Sequence, residues 1–141
     1  MKIVKDENYL SQACEPIQDS EWASIKMRLF LGMKSRDDAI GLACNQIGIN
    51  KRGFVVRFGS KLLFFKNPMI TYWDVGGRIN HKEKCLSLPK KEYEVKRHKV
   101  VYITDDENGK NQRYEDYIAC VIQHEYDHIN GILIKHKGEN Q

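Results

Sequence analysis

His124-Glu125-Tyr126-Asp127-His128 is the stretch whose residue types and spacing most directly imply chemistry. Histidines four apart on a helix lie one turn apart on one face, so both imidazoles can reach one metal ion. Glu125 lies beside them, placed to move protons on a water held by that ion. The competing reading is two exposed histidines on a polar helix face. An open catalytic site takes a third protein ligand and keeps one position for water or substrate. Gly131 fits the longer pattern H-E-x-x-H-x-x-G-x-x-H, but Ile134 stands where its last histidine belongs. Downstream, Glu139 falls in a tail expected to fray. Cys120 shares the His124 stripe but is ~12 Å along the axis from His128, too far for a shared ion, so it reads as packing or pocket wall. The third ligand must come from upstream. Cys85 is the best candidate there, in Glu83-Lys84-Cys85-Leu86-Ser87-Leu88-Pro89, a segment that Pro89 keeps from being a helix interior.

Elements must exist to present these groups. From Glu115 the pattern is helical: Glu115 and Asp116 lie at the positive end of the dipole, Tyr117, Ile118, Val121 and Ile122 form the apolar face, and Asn130-Gly131 is the stop. Asp19-Ser20-Glu21 starts an earlier helix, whose stripe is Trp22, Ile25, Leu29 and Met33. Residues 54–58, 62–65, 69–73 and 100–104 are β-branched or aromatic runs bounded by turn residues, and Asp106-Glu107-Asn108-Gly109 returns the last as a hairpin. Ile132-Leu133-Ile134 reads as a final short strand. The order helix, strands, helix predicts an α+β fold with mostly antiparallel sheet.

The whole of 1–141 is expected to be a single domain, with no repeat or low-complexity tract. With 41% hydrophobic and 30% charged residues, the chain is too apolar for disorder and too interrupted by charge for a membrane protein. The opening residues, Met1 to Asn8, lack a signal-peptide core, so a cytoplasmic setting is expected. Cys14, Cys44, Cys85 and Cys120 should then be thiols. The net charge of +4 is unclustered and argues against sequence-specific nucleic-acid binding.

Three motifs carry a resemblance. Glu83-x-Cys85-Leu86-Ser87 resembles the second signature of peptide deformylases, and Gln123-His124-Glu125-Tyr126-Asp127-His128-Ile129-Asn130-Gly131 the third. Ala39-Ile40-Gly41-Leu42-Ala43-Cys44-Asn45-Gln46 is similar to the first, G-x-G-L-A-A-x-Q. They occur in family order, and the likeness runs from Lys2-Ile3-Val4 to Gly131-Ile132-Leu133. The resemblance implies a deformylase-like fold, with antiparallel sheets around a central HExxH helix. It implies removal of the formyl group from the formyl-methionine of nascent polypeptides. Cys85, His124 and His128 would be the metal ligands, with water in the fourth position; Fe(II) would be the working ion, replaced by zinc, nickel or cobalt in purified material. That water would attack the formyl carbon, with Glu125 as general base and then acid. Gln46 and the backbone N–H of Leu86 would hold the oxyanion, and Gly41 would let substrate backbone approach. Ile40, Cys120 and Val121 would line the methionine pocket, while Glu83 and Arg97 would form a buried pair bracing the Cys85 segment.

Lys84, Ala39 and Cys44 depart from the family pattern, replacing two glycines and an alanine. The chain also stops soon after Gly131, which leaves no room for the C-terminal helix of many bacterial members. In this it resembles the short bacteriophage-encoded forms, for which the setting would be the host cytoplasm. His81, His98 and His136 have no spacing that recommends them and read as surface or structural residues. Formyl-Met N-termini would be the partners, with transient ribosome contact and no membrane. The alternatives are a small HExxH metallopeptidase and a catalytically idle metal-binding module at the ribosome.

Overall fold

The computed structural model describes residues 1–73 and 76–138, and Glu139 lies outside the described residues. Helix α1 (Glu7–Leu10) is one turn, capped by Asp6, whose carboxylate accepts the N–H groups of Asn8 and Tyr9 at 3.0 and 3.4 Å. Helix α2 (Asp19–Lys34) starts where the polar cluster predicts. Its cap residue is Gln18, whose N–H donates to the Glu21 carboxylate at 2.9 Å. Of the predicted stripe, Ile25, Leu29 and Met33 are buried and Trp22 half-buried.

Strand β1 (Gly41–Ala43) runs into a 3-10 turn at Cys44–Ile47, followed by β2 (Gly53–Phe58) and β3 (Lys61–Lys66). These three strands form one antiparallel sheet, in which Phe54 faces Phe65 with ring centroids 4.8 Å apart. Strand β4 (Met69–Tyr72) is followed by a long ribbon, β5 (Arg78–Cys85) and β6 (Leu88–His98). Strands β7 (Val100–Asp105) and β8 (Gly109–Glu115) complete a second three-stranded sheet, in the order β4-β7-β8. Helix α3 (Tyr117–Ile129) packs on β1, β2, β6 and β8, so the sheets surround it. Phe54, Phe65, Ile103, Ile122 and Ile129 form the fully buried contact between them. Helix α4 (Ile134–Gly138) lies against β6. No helix among the described residues is long and apolar enough to cross a membrane.

Several local expectations are corrected. The strand at 69–73 ends at Tyr72. Glu115 closes β8 instead of opening the helix, because Asp116 turns the corner at φ 62°. Ile134 starts a short C-terminal helix where a strand, and no helix, was expected. There it packs with Cys85 and Val95 against the ribbon, and the Leu133 N–H donates to His136 Nδ1 at 3.3 Å.

The β5–β6 ribbon itself was not foreseen. Its inner face mixes His81, Glu83 and Arg97 with Cys85, Tyr93 and Val95, and its outer face carries Arg78, Lys82, Lys84, Lys96, Glu92 and Glu94, so apolar alternation marks it only weakly. The turn glycine after α3 is forced by its surroundings. Gly131 has φ 76°, and a Cβ there would lie 2.5 Å from the Ser11 carbonyl oxygen. Gly131→Ala should therefore lower unfolding free energy by about 1–3 kcal/mol in urea titration; a variant as stable as the parent would show that the Ser11 backbone yields.

Candidate metal centre

The first reactive group comes from the end of β5 and the next two from α3. Helical spacing puts His124 and His128 one turn apart, with ring centroids separated by 5.0 Å. The β5–β6 ribbon then brings Cys85 to them. One ligand atom from each of the three residues lies within 4.8 Å of the others, and all three residues are buried. Cys85 Sγ is 3.3 Å from His128 Nε2. His124 Nδ1 is 2.9 Å from a Glu83 carboxylate oxygen, which makes it the donor and leaves Nε2 to face the thiol.

The four cysteines separate electrostatically. Burial pushes the thiols of Cys14, Cys44 and Cys120 up, to about 11, about 12 and about 11. Burial acts on Cys85 in the same sense, but His128 and His124 bring it down to about 5. Burial likewise disfavours the His124 imidazolium, yet its contacts with Cys85 and Glu83 raise it to about 10. Both shifts favour a thiolate beside an imidazolium, a pairing that a divalent ion would replace with release of a proton. A thiolate and two imidazoles within reach of one ion fit a borderline transition metal, and the donor set suits several of them.

Glu83 anchors the cluster from behind. Arg97 donates to it twice, from Nε at 2.9 Å and Nη2 at 2.7 Å, and His81 Nδ1 lies 2.9 Å away. Burial alone would raise the Glu83 carboxyl, but Arg97, His124 and His81 hold it well below the usual carboxylate range. Arg97 also donates from Nη1 to Asp127 of α3 at 2.5 Å, and Asp127 pairs with Lys137 of α4 at 3.1 Å. The Glu83–Arg97 pair anticipated from the sequence is thus one link in a longer network. His81, half-buried, joins that network, the structural half of its sequence reading.

Glu125 faces the cluster from the same helix. It is buried, and its Oε1 has no hydrogen-bond partner among the described residues. Burial raises its carboxyl, against the opposing pull of His124 and His128. Gly41 gives it room: a Cβ at that position would lie 2.4 Å from Glu125 Oε2. Gln46 is oriented by the Ala43 N–H, which donates to its Oε1 at 3.0 Å. Its Nε2 then points to Cys85 Sγ at 3.6 Å and Ser87 Oγ at 3.3 Å. A cleft of about 1110 Å³ opens over these groups. Leu86, Cys120 and Val121 line it, and Ile40 stands at its mouth, 44% exposed.

Sequence reasoning gave no role to Ser87, Asp127 or Asn45, and read His81 as a surface or structural residue. Ser87 Oγ donates to the Val4 carbonyl at 2.7 Å, and Asn45 Nδ2 to the His128 carbonyl at 2.8 Å. Ser87, Asp127 and Asn45 were visible inside the three motifs. Their partners lie far away in the chain, and no spacing rule connects them.

The sequence profile of the family described as polypeptide deformylase matches residues 1–141. A peptide deformylase from Borreliella burgdorferi is 43% identical over 101 residues, 67% of this chain and 59% of that protein. The chain thus spans about six-tenths of that curated relative. The crystal structure of peptide deformylase from Thermotoga maritima superposes with a TM-score of 0.85 at 30% identity, covering 97% of this chain and 95% of that one. A probable peptide deformylase from Synechococcus phage S-SSM7 gives 0.85 at 31%, over 97% and 99%. An end-to-end profile match, close sequence relatives and a shared fold agree: this chain belongs to the polypeptide deformylase family.

Proposed function

We propose that this chain hydrolyses the formyl amide of formyl-methionine at the N-terminus of nascent polypeptides, releasing formate and a free amine. The observation that supports this most is the convergence of Cys85, His124 and His128 beside a cleft that Cys85, His124 and Glu125 line, with one Glu125 carboxylate oxygen unpartnered among the described residues. A divalent ion held by the three residues supplies Lewis-acid polarisation and a water of lowered pKa. Fe(II) is the proposed working ion, with zinc, nickel or cobalt able to take its place in the same donor set.

Glu125 takes a proton from the attacking water and returns it to the amide nitrogen as the C–N bond breaks. Its desolvated setting suits both directions of transfer. Gln46 Nε2, fixed by Ala43 and Ser87, and the backbone N–H of Leu86 donate to the formyl oxygen as it gains charge. Strand β1 pairs with β2 on one side only, so Gly41 can hydrogen-bond substrate backbone on the other. Cys120 and Val121, with Ile40 at the rim, receive the thioether side chain. Glu83 and Arg97 hold His124 in the tautomer that ligates. On this reading the work is done in the cytoplasm, with transient ribosome contact. Internal peptide cleavage is not favoured, since the relatives are deformylases.

Anaerobic, Fe(II)-loaded protein should release formate from a formyl-Met-Ala-Ser peptide. Glu125→Gln should lower kcat by ~10²–10⁴-fold with metal content retained, whereas Cys85→Ser should lose bound metal on dialysis. Failure of the iron-loaded parent would sink the proposal. Gly41→Ala should push the Glu125 carboxylate aside, lowering kcat at least about tenfold at unchanged metal content; undiminished kcat would mean that the carboxylate swings without consequence.

A further inference from the structure

Four lysines stand exposed around the mouth of the cleft: Lys2, Lys5, Lys82 and Lys84. None has an ion-pair partner among the described residues. Other charges at the mouth are already engaged. Arg36 donates to Asp38 through two N–H groups at 3.1 Å each, and Asp6 caps α1. Deeper in, Glu83 is neutralised by Arg97. Asp6 and Glu92, with Glu125 deeper in, are the acids without an ion pair among the described residues lining the cleft, so the lysines leave its mouth with a small positive excess.

The lysines come from two walls. Lys82 and Lys84 alternate on the exposed face of β5, the second next to Cys85. Lys2 and Lys5 flank Val4, whose N–H donates to the Gln46 carbonyl at 2.7 Å and whose carbonyl accepts from Ser87 at 2.7 Å. The N-terminal segment is therefore pinned to the site and carries its ammonium groups with it. Strands β1 and β5 each have a partner on one side only, so an extended peptide can lie along the cleft between them, its side chains alternating.

We propose that this lysine rim makes the enzyme prefer acidic side chains at the second and third residues of the formylated chain. The proposal rests on the deformylase reading: with the methionine in the apolar end beside Cys120 and Val121, the next two side chains project toward the rim. Exposed charges act weakly one by one and are screened by salt, so two acidic residues should gain about three- to tenfold in kcat/KM over two basic ones.

The test compares kcat/KM of the metal-loaded full chain on formyl-Met-Glu-Glu, formyl-Met-Ser-Ser and formyl-Met-Lys-Lys amides, at low and high salt, with a Lys82→Glu/Lys84→Glu variant alongside. The expected order is Glu-Glu, Ser-Ser, Lys-Lys, compressed by salt and flattened in the variant, where Lys2 and Lys5 remain against two glutamates. Equal rates on the acidic and basic peptides while Ser-Ser is turned over would overturn the rim proposal and leave the deformylase reading standing. An acidic preference that ignores salt and survives in the variant would overturn it as well. No turnover of Ser-Ser would remove the deformylase reading, and this proposal with it.

Discussion

The buried Glu83 carboxylate is the interaction on which the rest of the site depends. It accepts from Arg97, His124 and His81, and those donors come from β6, α3 and β5 itself. Because Arg97 also reaches Asp127, the same network joins the ribbon to the histidine helix and, through Lys137, to α4. An intact buried pair adds little net stability against a hydrophobic replacement, but removing one partner costs ~3–5 kcal/mol because the other charge is stranded. The network is thus better understood as a device for specifying geometry than as a source of stability. It sets the tautomer of His124 and the position of the strand that delivers Cys85.

The same logic extends to the reactive face of the site. The groups proposed to act are each positioned by a neighbour: Gln46 by Ala43 and Ser87, Glu125 by the space left at Gly41, His124 by Glu83. Such groups are oriented before substrate arrives, so little reorganisation is required during reaction. Among the described residues β1 and β5 each keep one unpaired edge, a feature on which an extended peptide can dock.

Much of this was legible in the sequence, for identifiable reasons. The i, i+4 histidines, the α2 stripe and the aromatic strands of the core follow periodicities set by backbone geometry. The β5–β6 ribbon did not, because its buried face holds His81, Glu83 and Arg97 where a strand rule looks for apolar residues. The reason for Gly41 was likewise hidden: backbone approach by substrate was anticipated, whereas the structure adds contact with Glu125, which lies on an element remote in the chain. Ile132-Leu133-Ile134 looked like a strand because the run is short and apolar; burial of Ile134 against the ribbon makes it the start of a helix instead.

The X-ray absorption spectrum of the iron-loaded chain tests the shared ion site most directly. One sulfur and two imidazole nitrogens in the first coordination sphere, with the sulfur lost in Cys85→Ser, are the predicted result. A parent spectrum with no sulfur scatterer, or one unchanged by Cys85→Ser, would contradict the convergence of Cys85, His124 and His128 on one ion.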